Sequence, residues 1–348
     1  MIHPTQLSSQ EIKKLSLKAE PYLKGLLKTV FTHNPKQKAV LVYDKNCALA
    51  SILCEAYKAS LPQATFINFD KEEPENILAV FAELEPFDLV VLVQSTSFRL
   101  DAFRMRVELF KKKIKVLEHP HLSRMADDEL EHYVNALEYD EDYYRGLGRR
   151  LKAKVDAATL GVLDTGDEIL TYKGGFETAK LNIGDYAEMV NTGGQFPIGE
   201  VFTESLDLSS LNGRMKIFCF GDVTYKVNIP EIPITLIIKD GHVIDTENST
   251  PAFDLILSNI RRDEDGVVWV RELGFGLNRA FTKDNRVADT GSYERMCGIH
   301  VSLGKKHGIY GKPGFKRRDG RYHVDVFADT YTFKLDNEVV YKDGSWQI

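Results

Sequence analysis

Four short apolar runs, KAVLVYD (38–44), TFINFD (65–70), FDLVVLVQS (87–95) and IKVLEHP (114–120), recur through the first 125 residues with helical patterns between them. A strand apolar on both sides needs cover on both sides, so this alternation predicts a parallel sheet with helices on its two faces. Spaced Leu and Ile over 8–32 predict one such helix, and ALASILCEAYKAS another. No glycine-rich phosphate loop follows any of the four runs, which argues against Rossmann and P-loop nucleotide sites. Asp44 and Asp70 end the first two strands, where an aspartate either forms a turn or meets a ligand.

The texture changes further on. Residues 126–157, from MADDELEHYV to YYRGLGRRLKAKV, read as a linker helix that Gly146 and Gly148 divide. Beyond 158, GVLDTGDEILTYKG, GRMKIFCFGDVTYKV and ITLIIKDGHVID are β-rich, and KDG (239–241) between two β runs is a hairpin signal. PAFDLILSNI (251–260) is the clearest helix there. A chain of 348 residues exceeds the ~250–300 at which single cores stop growing. The expectation is an α/β domain with a parallel sheet (1–125) and a linker helix (126–157). An α+β domain with a curved, mostly antiparallel sheet carrying a metal site follows (158–348).

Composition narrows the partners. With 43% apolar and 28% charged residues the chain has the balance of a soluble globular protein. A net charge of -6 suits neither nucleic acid nor an anionic membrane, and KKKIK (111–115) and KRR (316–318) read as solvated faces. MIHPTQLSSQEIKK is too polar for a signal peptide, and no apolar stretch of ~20 residues occurs, so a cytoplasmic location is expected. The four cysteines, Cys47, Cys54, Cys219 and Cys297, form no close ligand pair and read as reduced. Cys297, three residues before His300, is the one to examine as a nucleophile.

Five residues carry metal-ligand chemistry. Glu200 closes the turn NTGGQFPIGE, Glu272 begins ELGFG, and His300 opens HVSLG. His323 and Asp325, two apart in RYHVDVFAD, share one face of a strand. Together they could hold two divalent ions, with Glu200 or Glu272 bridging and His300, His323 and Asp325 completing the shells. Asp325 could instead orient His323. Arg271 and Arg279 flank ELGFGLN as candidate receivers of a substrate carboxylate or as surface cations.

Four segments in order, NTGGQFPIGEVFTE, RELGFGLN, GIHVSLG and YHVDVF, resemble successive motifs of the thermophilic aminopeptidases, the aminopeptidase T family. The likeness covers about residues 160–345. It implies a two-metal exopeptidase, active as a homodimer, acting on short peptides with a free N-terminus. Zn or Co would be its ions, held by Glu200, Glu272, His300, His323 and Asp325. The family places an assisting tyrosine seven residues after the first histidine; here that position is His307, with Tyr310 three residues on. Glu200 or Glu272 would relay a proton, and His307 or Tyr310 would assist at the oxyanion or leaving group. Two alternatives stand beside it. One is a non-haem Fe(II) ring-cleaving dioxygenase on a dihydroxypyridine-like substrate, using His300, His323 and Asp325. The other is a non-catalytic peptide-binding member of the same fold.

Overall fold

The computed structural model describes residues 7–100, 105–186, 192–305, 309–310 and 321–348. The chain divides into two compact units, Met1–Glu141 with Gly184–Ile198 and Asp142–Ile183 with Gly199–Ile348.

The four apolar runs become strands Ala39–Tyr43, Thr65–Asn68, Leu89–Val93 and Lys115–His119 of a parallel sheet. Leu89–Val93 is buried along its whole length, as a central strand covered on both faces must be. Helix Ser9–Gly25 starts at a capping box in which Ser8 and Glu11 satisfy each other's backbone amides. It continues as a π-helical turn, Leu26–Val30, which completes the helix expected over 8–32. Helix Ala48–Ser60 buries Leu49, Ile52 and Leu53.

A fifth strand escaped the sequence reading. Gly193–Gln195 lies parallel to Lys115–His119 and brings the segment Gly184–Ile198 into the first unit. Gly193 is required there: its φ is +126°, and a Cβ would stand 1.9 Å from the Val116 carbonyl oxygen. The segment is also tied to the core through His119. Tyr133 donates to the Phe196 carbonyl at 2.9 Å, so its oxygen accepts from His119 Nδ1 at 3.0 Å. His119 Nε2 then accepts from Tyr57 at 2.7 Å, and burial pushes the imidazole pKa down to about 3, keeping it neutral.

Residues 126–157, expected as a linker helix divided at Gly146 and Gly148, comprise a 3₁₀ turn Asp127–Glu129, helix Leu130–Asn135, and, after a break, a π-helical stretch Asp142–Leu147 that passes into helix Gly148–Ala157 at the second of those glycines. The unit boundary falls among them, after Glu141.

The second unit is built on a curved, 14-stranded sheet. Its neighbours along the main path are antiparallel, and the part that matters runs Asn212–Gly221, His323–Ala328, Gly298–Gly304, Val270–Gly276, Glu200–Glu204. The KDG signal becomes the two-residue hairpin between Ile234–Lys239 and His242–Glu247. Asp240 and Gly241 have φ of 49° and 78°, as a type I′ turn needs. Helix Pro251–Asp263, capped by Thr250, buries Phe253, Ile256, Leu257 and Ile260. Among the described residues no helix is long and apolar enough to cross a membrane.

The Gly193 requirement gives a paired test. Gly193→Ala should cost about 2–4 kcal/mol through backbone clash and strain. Gly194→Ala should be tolerated, because its Cβ would meet only the Tyr186 hydroxyl at 3.9 Å. Equal urea midpoints for the two variants would refute this account of the fifth strand.

Candidate metal centre

Register decides which side chains share a face. Gly276 pairs with Glu200 and Gly298; Gly274 pairs with Phe202 and His300. Glu272 pairs with Glu204, Ser302 with Asp325, and Gly304 with His323. Directly opposed residues of an antiparallel pair project to the same side. Glu200, His300, Asp325 and His323 therefore stand on one face of four adjacent strands. Glu272 is bound into that array through its amide, which donates to Ser302 Oγ at 3.1 Å.

Within the array Glu200, Glu272 and His300 are buried and offer ligand atoms all within 4.8 Å of one another. His300 Nε2 lies 3.3 Å from Glu200 Oε1 and 3.9 Å from Glu272 Oε1. The imidazole reaches across the sheet by lying over Gly274, where a Cβ would stand 2.1 Å from both Cε1 and Nε2. Glycine at 274 thus makes room for the histidine. On the neighbouring strand His323 Nε2 is 3.2 Å from Asp325 Oδ1. His323 Nδ1 faces the Lys305 carbonyl at 3.2 Å. A carbonyl only accepts, so Nδ1 carries a proton, which leaves Nε2 as the nitrogen that could meet a metal ion.

Burial and mutual repulsion set the charges. Burial, then the Glu200 charge, push the Glu272 carboxyl up to about 8. Glu200 is buried too, but Arg295 and His300 outweigh that and hold it below the usual range. Burial opposes charge on His300, yet Glu200, Asp325 and Glu272 prevail and raise it to about 9. His323 is raised to about 10 against burial by Asp325, and Asp325 is correspondingly lowered.

The donor set fits a divalent cation. Glu200 Oε1, Glu272 Oε2, His300 Nε2 and Asp325 Oδ1 are buried and make no well-formed hydrogen bond, although His300 and His323 stand in ion-pair range of Glu200 and Asp325. Leaving such atoms unsatisfied is costly, and a cation bound among them would satisfy them together.

Two further charges that sequence reasoning missed complete the surroundings. Arg295, 7% exposed, holds Glu200 Oε2 at 3.2 Å and also contacts Glu294. Their only signal was a charged pair, YERM, five residues ahead of His300. Burial, against the pull of Arg295, raises the Glu294 carboxyl to about 7.

Other candidates fall elsewhere. Arg271 is not a surface cation: it is buried, donates from Nε to the Gly304 carbonyl at 3.2 Å, and lies 3.6 Å from Glu204. Arg279 covers the Tyr143 ring at 4.0 Å. The Tyr310 hydroxyl is directed to the Phe202 and Thr178 carbonyls at 3.2 and 3.4 Å. His307 lies outside the described residues. Cys297 is no activated nucleophile: its thiol faces the Gly344 carbonyl, and burial pushes it up to about 11. All four cysteines are free thiols. Asp44 is buried; it accepts from the Asn46 amide at 3.1 Å in the turn after its strand, and from the Ser95 amide at 2.8 Å and the Ser95 hydroxyl, which tie it to the end of a second strand.

The fold and this face define a class: a parallel α/β unit with a curved antiparallel unit that carries a buried group able to bind a metal ion. No family model matches the sequence, and no curated protein matches it. The solved structures that match across nearly the whole chain include two enzymes. The 2,5-dihydroxypyridine dioxygenase of Pseudomonas putida has a TM-score of 0.60 at 17% identity, covering 96% of this chain and 97% of its own. Wild-type AmpT of Thermus thermophilus, an aminopeptidase T, has a TM-score of 0.58 at 11% identity, covering 96% and 100%. At these identities the likeness is one of fold, and the fold is shared by two chemistries.

Two outcomes are expected. Gly274→Ala should weaken divalent-ion binding about 10- to 100-fold with the fold retained, because the histidine loses its place. Unchanged affinity in a folded variant would remove His300 from the centre. At pH 7 metal-free Glu272, His300 and His323 carry protons, their pKa values being about 8, 9 and 10. Loading an ion must displace such protons, so affinity should strengthen as pH rises from 6 to 8. Calorimetry in buffers of different ionisation enthalpy would read the release; none would contradict this set of ligands.

Proposed function

We propose that this protein is a metal-dependent aminopeptidase, using two divalent ions, Zn or Co, to remove residues from short peptides with a free N-terminus. The observation that carries the reading is the buried group of Glu200, Glu272 and His300 with its unpartnered ligand atoms. His323 and Asp325 on the same face add a second histidine and a third carboxylate. Those are more donors than one open mononuclear centre uses, and they suit a carboxylate-rich pair of sites. The fold likeness to AmpT supports the same reading.

Glu200, Glu272, His300, His323 and Asp325 would hold the ions. When bound, divalent ions polarise the scissile carbonyl and lower the pKa of water. The chain's own groups do the rest. Arg295 keeps Glu200 ionised and fixes one of its oxygens. The amide contact to Ser302 fixes the backbone of Glu272. Glu272 is protonated near neutrality in the metal-free protein. Once it is ionised, an oxygen of Glu272 or Glu200 not engaged by an ion could take a proton from water and pass it to the leaving amine. Tyr310 belongs to the electrostatic surroundings of Glu272, and burial keeps that phenol neutral as a donor. A homodimer is proposed as the assembly, to be read by sedimentation.

A second reading follows from the dioxygenase fold likeness: His300, His323 and Asp325 formally supply two imidazoles and a carboxylate for Fe(II). Glu200 and Glu272 weigh against it, since both stand within ligand range of His300.

Two measurements decide. Elemental analysis should find two divalent ions per chain, and metal-loaded enzyme should cleave free-amine peptides and spare N-acetylated ones. A single iron with oxygen uptake on a dihydroxypyridine would overturn the hydrolase. In parallel, Glu272→Gln should lower turnover more than ~100-fold at near-wild-type stability. Unchanged turnover with both ions present would sink the assignment of Glu272.

A further inference from the structure

The first unit contains a cavity of about 480 Å³, bordered by the end of helix Ser9–Gly25, the turn after it, and the loops at 33–39 and 60–64. Its size falls in the ~300–1,000 Å³ range of small-molecule sites. Lys24, Lys28, Lys36 and Lys38 line it, and no Asp or Glu does among the described residues. In a chain of net charge -6 such a lining stands apart.

The charges are only partly spent. Lys24 pairs with Glu20 at 2.5 Å, and Lys38 donates to the Glu83 carbonyl at 3.1 Å. Lys28 and Lys36 make no ion pair among the described residues. Behind the 32–37 loop, Lys115 is 4% exposed and reaches the Thr32 carbonyl and Gln37 Oε1 at 3.4 and 3.3 Å. Asp88 is the carboxylate that faces it. A second observation points the same way. His33 lines the cavity, and its Nδ1 is buried without a hydrogen-bond partner. Burial, with Lys115 nearby, holds this imidazole below its usual pKa, so the ring adds no charge of its own to the lining. Leu27, Leu61 and Pro62 give the cavity apolar walls.

We propose that this cavity binds a small phosphorylated molecule, its phosphate among the lysines and its apolar body against Leu27, Leu61 and Pro62. Lysine ammonium groups act as point charges for phosphate, and several unopposed ones suit a dianion better than a monovalent carboxylate. The site is independent of the metal centre and of the peptidase reading.

The test is calorimetric titration of the full chain, dialysed free of divalent ions so that phosphate has no metal to bind. Phenyl phosphate should bind one to one. Inorganic phosphate, lacking the apolar body, and benzoate, lacking the second charge, should each bind at least ~10-fold more weakly. The double variant Lys28→Glu, Lys36→Glu alters only exposed lysines and should fold normally by circular dichroism, yet lose phenyl phosphate by ~10-fold or more. No binding at millimolar phenyl phosphate, or equal affinity in the double variant, overturns the proposal. Benzoate binding as tightly as phenyl phosphate overturns the phosphate assignment.

Discussion

Buried negative charge is the constraint around which the second unit is arranged. Two unit charges 4 Å apart repel by about 4 kcal/mol at an effective dielectric near 20. Glu200 and Glu272 stand within such range, with Asp325 adding to both. The protein resolves this unequally. Arg295 neutralises one oxygen of Glu200, so Glu200 stays ionised and Glu272 keeps its proton near neutrality. Glu204, at the other end of the same strand, is matched with Arg271. The carboxylate oxygens left over are the ones grouped with His300, which is why the excess charge collects at one place.

Backbone register makes that collection possible. Four strands from separate stretches of chain must align so that Gly274 lies opposite His300 and Ser302 opposite Asp325. A slip by one residue would send each of these side chains through the sheet. Gly274 does a second job, since the imidazole occupies the volume a Cβ would take. The missing side chain on one strand sets the direction of the ligand on the next, and the site is as rigid as the sheet beneath it.

Much of the scaffold was legible from sequence because its signals are local. Doubly apolar runs announced the parallel strands, and the Asp240-Gly241 turn announced its hairpin by requiring two positive φ values. Gly193–Gln195 had no such signal: two glycines and a glutamine carry no β preference, and the strand exists because Lys115–His119 accepts it. The break between Asn135 and Asp142 was hidden because charged periodicity continues through it. At the site, the candidate ligands stood out as carboxylates and imidazoles beside glycine-rich turns, and more sharply as ordered motifs resembling a known family. Arg295 and Glu294 were passed over, since a charged pair carries no local sign of burial, which is a tertiary property. Arg271 misled for the same reason.

A shared fold leaves the choice of chemistry to the donor set. An oxygen-activating iron centre of the facial-triad kind needs two imidazoles, one carboxylate and open positions. Adding buried carboxylates raises the negative charge at the ion and favours hard, redox-inert cations that act as Lewis acids. Here Glu200 and Glu272 flank His300, and the fixed cation nearest them is Arg295, which is already engaged with Glu200 and Glu294. Ionised, Glu200, Glu272 and Asp325 carry three negative charges, of which Arg295 offsets one, so a bound divalent cation would balance the remainder. A carboxylate-rich set of this kind is what supports the proposed hydrolytic reading over ring cleavage, while the fold itself is common to both.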